Sequence, residues 1–240
     1  EYERDYALAM LGVEDFPYQK LSGKTIVVDG ESEYMKLTVC MSLLALNDKE
    51  KLSIKVLMLG NGNELSEKLA ERNDFSLCSY EQAAATEYNF FISTGICGLE
   101  LNGTSAEYCR ITNNFARAIS TAKSCLERCI LLSDYRVYGE LERGLVISEN
   151  EAGFVPFSNN GDMSQTTAVS IETYFSAYAK QFNLPTIILR SGILLGAKAE
   201  LPQNFTDELF SAVAEGKQIS LPNTRKKYSF TYLNEVIHAL

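Results

Sequence analysis

The sequence predicts an α/β protein built around a doubly wound, parallel β-sheet. Several short runs are apolar throughout, as strands covered on both faces of a sheet are. Amphipathic stretches with helical spacing separate these runs. Right-handed crossovers between parallel strands then place helices on both faces of the sheet. With 240 residues, 46% of them hydrophobic, the chain can bury a core of this kind.

The apolar runs locate the strands. The run KTIVV at 24–28 is rich in β-branched residues, which favour strands. The run LSIKVLML at 52–59 ends at the turn signal Gly60-Asn61-Gly62. We expect further strands at 75–78, 88–93, 128–133, 186–190 and 228–233.

The stretches between the strands have apolar residues at helical spacing. We expect helices at 34–47, 64–72, 106–126, 165–182 and 206–216. A further helix is predicted over 4–12, followed by a linker that contains Pro17. The chain then divides into an N-terminal helix and linker at 1–22 and a main domain at 23–240. Within the main domain, we expect 191–240 to form a partial C-terminal lobe, truncated at its C-terminal end.

Charge and cysteine content argue against several classes of function. The formal net charge is −9, and an acidic surface repels polyphosphate, so nucleic acid is not an expected partner. No apolar run is long enough to span a bilayer and no signal peptide is visible, which predicts a cytoplasmic protein without a membrane span. The six cysteines form no CxxC pair, and the single histidine, His238, cannot complete a zinc site with them. We therefore expect reduced thiols and no bound metal.

Four passages resemble one known family. They are GKTIVVDGESEYMK at 23–36, CILLSDYRVYGE at 129–140, YFSAYAKQFNLPTIILRSGILLG at 174–196 and KYSFTYLNEVIHAL at 227–240. In this order and spacing they are similar to the extended short-chain dehydrogenases/reductases, specifically the NAD-dependent nucleotide-sugar epimerases, dehydratases and decarboxylases. The resemblance covers roughly residues 21–240. It implies a Rossmann-like fold and identifies the C-terminal lobe as part of a substrate lobe.

The resemblance also implies a phosphate-binding turn that this chain has lost. The family's turn reads G-x-x-G-x-x-G, where the glycines let the backbone approach the cofactor pyrophosphate at a helix N-terminus. Here the three positions are Gly30, Glu33 and Lys36. A carboxylate at Glu33 would repel a diphosphate, and Glu31 and Glu33 favour the positive helix end themselves. The alternative is a plain helix start capped by Ser32 or a neighbouring residue.

Other cofactor positions of the family are also replaced. The residue that holds the adenosine ribose falls in the region of Asn61, where the chain has no acid and no arginine. The acid expected near the adenine is replaced around Ser79-Tyr80, and the end of the fourth strand reads Ser93-Thr94-Gly95. The sequence therefore predicts that no cofactor is bound.

The family's catalytic groups are a Ser/Thr and a Y-x-x-x-K pair that moves the hydroxyl proton as hydride is transferred. By the resemblance, the Ser/Thr position falls on Asp134, the tyrosine at or next to Ser164 and the lysine at or next to Ala168. None of the 13 tyrosines has a lysine four residues later. The catalytic set is thus not intact.

Three basic residues are candidate ligand-binding groups. Arg190 ends a predicted strand at the edge where ligands bind in such sheets; a phosphate contact and an ion-pair role are both open. Arg225 and Lys227 belong to a small basic cluster, which is either a diphosphate contact or a solvated turn.

Three functional hypotheses follow from the resemblance. The first is a pseudoenzyme, a structural or regulatory subunit in nucleotide-sugar or surface-polysaccharide metabolism. It would form a homodimer, or a heterodimer with an active relative, through the helices at 105–125 and 164–182. The second is an atypical epimerase, dehydratase or decarboxylase that uses NAD. The third is a sensor that binds a nucleotide-sugar without redox chemistry.

Overall fold

A computed structural model describes residues 17–99, 101, 105–139, 148–151, 163–196, 205–218 and 229–240. The helix predicted over 4–12 and the basic residues Arg225 and Lys227 lie outside these ranges. No helix among the described residues is long and apolar enough to cross a membrane.

A six-stranded sheet forms the centre of the fold, and its described pairs are all parallel. Its strands are β1 (Thr25–Asp29), β2 (Lys55–Leu59), β3 (Phe75–Cys78), β4 (Tyr88–Ser93), β5 (Cys125–Asp134) and β6 (Thr186–Ser191). The order across the sheet is β3-β2-β1-β4-β5-β6. Successive strands are added on one side of β1 as far as β3, and from β4 onward on its other side. This reversal of strand order makes the sheet doubly wound. The predicted α/β fold class is therefore confirmed.

Helices follow the strands in the predicted alternation. They are α1 (Glu33–Glu50), α2 (Glu64–Leu69), α3 (Tyr80–Ala84), α4 (Ser105–Thr121), α5 (Met163–Phe182), α6 (Phe205–Ala214) and α7 (Leu233–Ala239). The prediction missed α3, although its capping box is visible in the sequence as Ser79 followed by Gln82. It also extended α4 too far, because Cys125 already begins β5. The extra length of β5 is accommodated by a register shift opposite Tyr88 and Phe90.

Two apolar layers cover the faces of the sheet. One layer contains Phe91 and Leu131 from the strands with Ile111 and Phe175 from α4 and α5. The other packs α1 on the opposite face. Five of the six cysteines are buried in or beside these layers, and only Cys109 on α4 is exposed. All six are free thiols, as predicted.

The described part of the C-terminal region adds a small second sheet. The short strands β7 (Ile193–Leu195) and β8 (Phe230–Tyr232) pair in parallel. The prediction missed β7 and made β8 longer than it is. Leu194, Leu233 and Val236 form a buried cluster with Met35 near the start of α1. Whether residues 191–240 belong to a truncated substrate lobe stays a prediction.

Asn47 fixes the end of α1 to the entrances of β2 and β3. Its side-chain amide accepts from the backbone N–H of Ile54 at 2.9 Å and donates to the Ile54 carbonyl at 3.2 Å. It also donates to Asp74 at 2.8 Å, and Asp74 directly precedes β3. One side chain thus joins three segments of the chain.

We expect Asn47→Ala to lower the free energy of unfolding by about 2–3 kcal/mol, because it leaves partly buried backbone groups without partners. Urea denaturation followed by circular dichroism measures this. Asn113→Ala on the exposed face of α4 is the matched control and should shift stability by less than about 0.5 kcal/mol. Equal effects of the two substitutions would contradict this role of Asn47.

Candidate functional site

A cleft of about 770 Å³ opens at the carboxyl ends of β1, β2 and β3. Its lining includes Asp29 and Gly30 after β1, Gly60 and Asn61 after β2, and Tyr80 after β3. In open α/β sheets, ligands bind at this edge beside the point where the strand order reverses. The cleft is therefore the candidate site.

Gly30 turns the chain from β1 toward α1. Its φ is +151°, and a Cβ atom there would lie 1.9 Å from the Thr94 Oγ1 atom. Ser32 then caps α1, because its hydroxyl accepts from the backbone N–H of Met35 at 3.3 Å. The predicted N-cap is confirmed, and it uses one of the donors that a bound anion would need.

Glu33 and Lys36, which the resemblance places at the second and third positions of the family's glycine motif, form an ion pair. The Lys36 Nζ atom lies 3.2 Å from the Glu33 Oε2 atom and donates to the Leu59 carbonyl at 3.3 Å. The Lys36 side chain is only 9% exposed. Lys36 therefore ties α1 to the end of β2, and Glu33 partly neutralises its charge.

Glu31 does not act at the helix end as expected. Its carboxylate accepts from Arg110 and Asn114 on α4, both at 2.9 Å. Its backbone N–H donates to the Gly95 carbonyl at 3.0 Å. The expectation that Glu31 fills an anion site of α1 is wrong, because two donors on α4 bind its side chain.

The turn after β4, residues 95–98, packs directly on the start of α1. Gly98 has a φ of +77°, and a Cβ atom there would lie 2.9 Å from Met35 and 3.7 Å from the Ser32 hydroxyl. Gly95 also has a positive φ of +52°. These two glycines let the turn approach the first residues of α1.

Asp134, at the family's Ser/Thr position, forms a buried ion pair with Arg136. The Arg136 Nε atom lies 2.8 and 3.0 Å from the two carboxylate oxygens, and Nη2 also contacts Oδ2. The guanidinium then donates to the carbonyls of Ile96 at 3.0 Å and Leu99 at 3.2 Å. Asp134 thus fixes an arginine that holds the turn after β4.

The other two family positions lie in the first turns of α5. Ser164 is buried, and Ala168 is 2% exposed within the apolar layer that contains Ile171 and Phe175. A methyl group at Ala168 offers no proton and no charge. Asp134 lies at the end of β5. Because the two helix positions carry a serine and an alanine, it has no Tyr/Lys pair there to act with.

Arg190 is engaged by the chain itself. Its guanidinium binds Glu172 through two hydrogen bonds of 2.9 and 2.7 Å, and it donates to the Glu149 carbonyl at 3.0 Å. It also lies over the Tyr138 ring, 4.9 Å from the centroid. The structure therefore supports the ion-pair alternative for Arg190. The ligand contact predicted at Arg225 and Lys227 lies outside the described residues.

The sequence reasoning singles out neither Asp29 nor Arg117 of the cleft, and it names Tyr80 only at the replaced adenine position. Burial raises the pKa of Asp29 to about 6, although Lys36 and the Ser93 hydroxyl, which donates to Asp29 at 3.1 Å, oppose this shift. Arg117 lies over the Tyr80 ring, 4.5 Å from its centroid. An acid directly after an apolar strand was the available signal for Asp29.

The raised pKa of Asp29 predicts a pH dependence of stability. The folded state holds the Asp29 proton up to about pH 6, while the unfolded chain releases it near pH 4, so this contribution to stability is present at low pH and is lost as pH rises through about 6. We expect the stability of Asp29→Asn relative to wild type to rise between about pH 4 and pH 6. Urea midpoints measured across this range test it, and a constant difference would contradict it.

Removing one partner of the Asp134–Arg136 pair should be strongly destabilising. Asp134→Asn leaves a largely buried guanidinium without its counter-charge, so we expect a loss of about 3–5 kcal/mol. Chemical denaturation of Asp134→Asn, Arg136→Gln and the double variant gives the coupling between the two sites. A coupling near zero would mean that the two side chains do not act as a pair.

Comparison with known proteins shows the fold. No protein-family model and no curated protein matches the sequence. Similar solved structures include UDP-glucuronic acid 4-epimerase from Bacillus cereus, with a TM-score of 0.66, 18% identity and coverage of 89% of this chain and 70% of that one. They also include DesIV, a dTDP-glucose 4,6-dehydratase from Streptomyces venezuelae, with a TM-score of 0.67 and 13% identity over 89% and 70% of the two chains. A third is ADP-L-glycero-D-manno-heptose-6-epimerase from Helicobacter pylori, with a TM-score of 0.68 and 12% identity over 95% and 74%. The chain thus has the Rossmann-like fold of these nucleotide-sugar epimerases and dehydratases.

Proposed function

We propose that this chain is a non-catalytic member of the extended short-chain dehydrogenases/reductases. In this proposal it works as a structural or regulatory subunit in nucleotide-sugar or surface-polysaccharide metabolism. The observation that carries the proposal is the arrangement at the start of α1, where the Ser32 hydroxyl binds the Met35 N–H and the side chains of Glu33 and Lys36 form an ion pair.

The start of α1 does not fit the pyrophosphate of NAD. Ser32 already accepts from Met35, and the turn at 95–98 packs against the same end of the helix. The carboxylate of Glu33 stands where the family has a glycine, and its charge opposes that of a phosphate. Lys36 is not a free phosphate ligand, because it binds Glu33 and the Leu59 carbonyl.

The positions of the catalytic groups support the same proposal. Proton transfer in this family needs a tyrosine whose pKa a neighbouring lysine lowers. The corresponding helix turns carry Ser164 and Ala168, and the third position carries Asp134, which is paired with Arg136. We therefore assign Asp134 a structural role.

A subunit role needs a surface for a partner, and α5 offers a candidate. Tyr174 and Phe182 are 41% and 42% exposed, and Tyr178 lies between them on the same helix face. The rings of Tyr178 and Phe182 stack, with centroids 5.4 Å apart. Exposed aromatic groups of this kind are enriched in protein interfaces. This supports pairing through α5, either with a second copy or with an active relative.

An atypical epimerase or dehydratase is the second candidate. The specific observation in its favour is the cleft of about 770 Å³, which remains open at the carboxyl edge of the sheet. The fold is also that of the three enzymes named above, and the DesIV structure and the Bacillus cereus epimerase structure contain NAD. The sensor hypothesis is weaker, because Glu172 engages Arg190.

Titration with NAD separates the two main candidates. We expect no binding of NAD or NADH tighter than about 1 mM, since the Glu33 carboxylate repels a diphosphate and Lys36 is already paired. Calorimetry measures the affinity, and NADH fluorescence gives an independent readout because the chain contains no tryptophan.

The Bacillus cereus UDP-glucuronic acid 4-epimerase serves as the positive control, since its structure contains NAD. Micromolar binding of NAD by this chain would overturn the non-catalytic proposal and favour the enzyme. Gel filtration with light scattering then tests subunit pairing, and Tyr174→Lys should weaken any dimer.

A further inference from the structure

An apolar groove of about 740 Å³ lies on the α1 face of the sheet, outside the candidate site. Strand residues such as Ile26, Ile92 and Ile130 form its floor, and Leu43 and Leu46 of α1 form one wall. Ile237 near the end of α7 lies at the opposite wall. The lining is therefore mainly apolar, with polar residues such as Lys20 and Arg128 beside it, which suits an apolar segment of chain.

We propose that this groove is the docking site of the chain's own residues 1–16. Chain continuity is the first argument. Pro17 and Tyr18 line the groove, so residue 16 lies one peptide unit, about 3.8 Å between Cα atoms, from its lining.

The length and apolar pattern of the segment match the groove. Within the helix predicted over 4–12, Tyr6, Ala9 and Met10 have the spacing of three and four that places side chains on one helix face, and Val13 and Phe16 follow the helix. The groove crosses from β1 to β6, which is three inter-strand spacings or roughly 14 Å. Nine helical residues span about 14 Å and the four residues after them add up to about 13 Å in extended form, so the segment is long enough to cross the groove.

Charge complementarity also favours this occupant. The segment carries five carboxylates and one arginine. Lys20 and Arg128 line the groove and are exposed, and neither forms an ion pair with another described residue. Glu127 beside them is already bound by Lys24 at 2.5 Å and by Asn89 at 2.7 Å. The groove therefore offers unpaired cations to an acidic, apolar segment in a protein whose net charge is −9.

Hydrogen exchange of the full chain, read by mass spectrometry, tests the docking. In the wild type, we expect amides of residues 4–13 to exchange at least about ten-fold more slowly than an unstructured peptide. Leu43→Glu places a carboxylate in the groove and should abolish this protection. Val213→Glu, at a position of α6 that is 69% exposed and does not line the groove, is the control and should leave it unchanged.

A second variant keeps the proposal testable if Leu43→Glu does not fold. Tyr6→Ser combined with Val13→Ser leaves the groove itself unchanged and should abolish the protection as well. Arg128→Glu should speed exchange of the segment by a few-fold, through loss of a favourable charge. Unprotected amides in the wild type would overturn the proposal. Protection that disappears on dilution would also overturn it, because the occupant would then be a second copy.

Discussion

The fork of hydrogen bonds made by Arg136 is the constraint on which the carboxyl edge of the sheet depends. Arg136 follows β5 and is held by Asp134 at the end of that strand. From there it fixes the carbonyls of Ile96 and Leu99 in the turn after β4. Held in this position, the turn packs on the first residues of α1. An ion pair at the end of β5 thus helps to set the geometry of the candidate site, although β4 lies between β5 and the site's strand β1.

Ion pairs within the chain recur along the same edge of the sheet. Its cations are bound by carboxylates of the chain: Lys36 by Glu33, Arg110 by Glu31, Arg117 by Glu81, Arg136 by Asp134 and Arg190 by Glu172. Binding a phosphate at this edge would have to compete with these internal partners, and the buried pairs are the hardest to separate. This internal neutralisation of charge is a physical ground for the proposal that the chain binds no dinucleotide.

The fold was predictable from the sequence because strand and helix periodicities are local. The run at 88–93 is β4 residue for residue, and Ser32 was recognised as a helix cap from its position alone. The site was less predictable because its contacts join residues far apart in the chain. Nothing local indicates that Glu31 binds Arg110, that Arg136 reaches Ile96, or that Arg190 binds Glu172. The sequence names the residues at these positions, and the structure shows which distant residues of the chain they contact.

The distribution of thiols gives the protein a practical property. Since five cysteines are buried and Cys109 is exposed on α4, a thiol-reactive fluorophore added to the native protein should attach at one position. Burial also raises the pKa of the Cys40 and Cys97 thiols, which keeps them in the unreactive form. The chain thus carries a natural attachment point on one of its three long described helices, without any engineered residue.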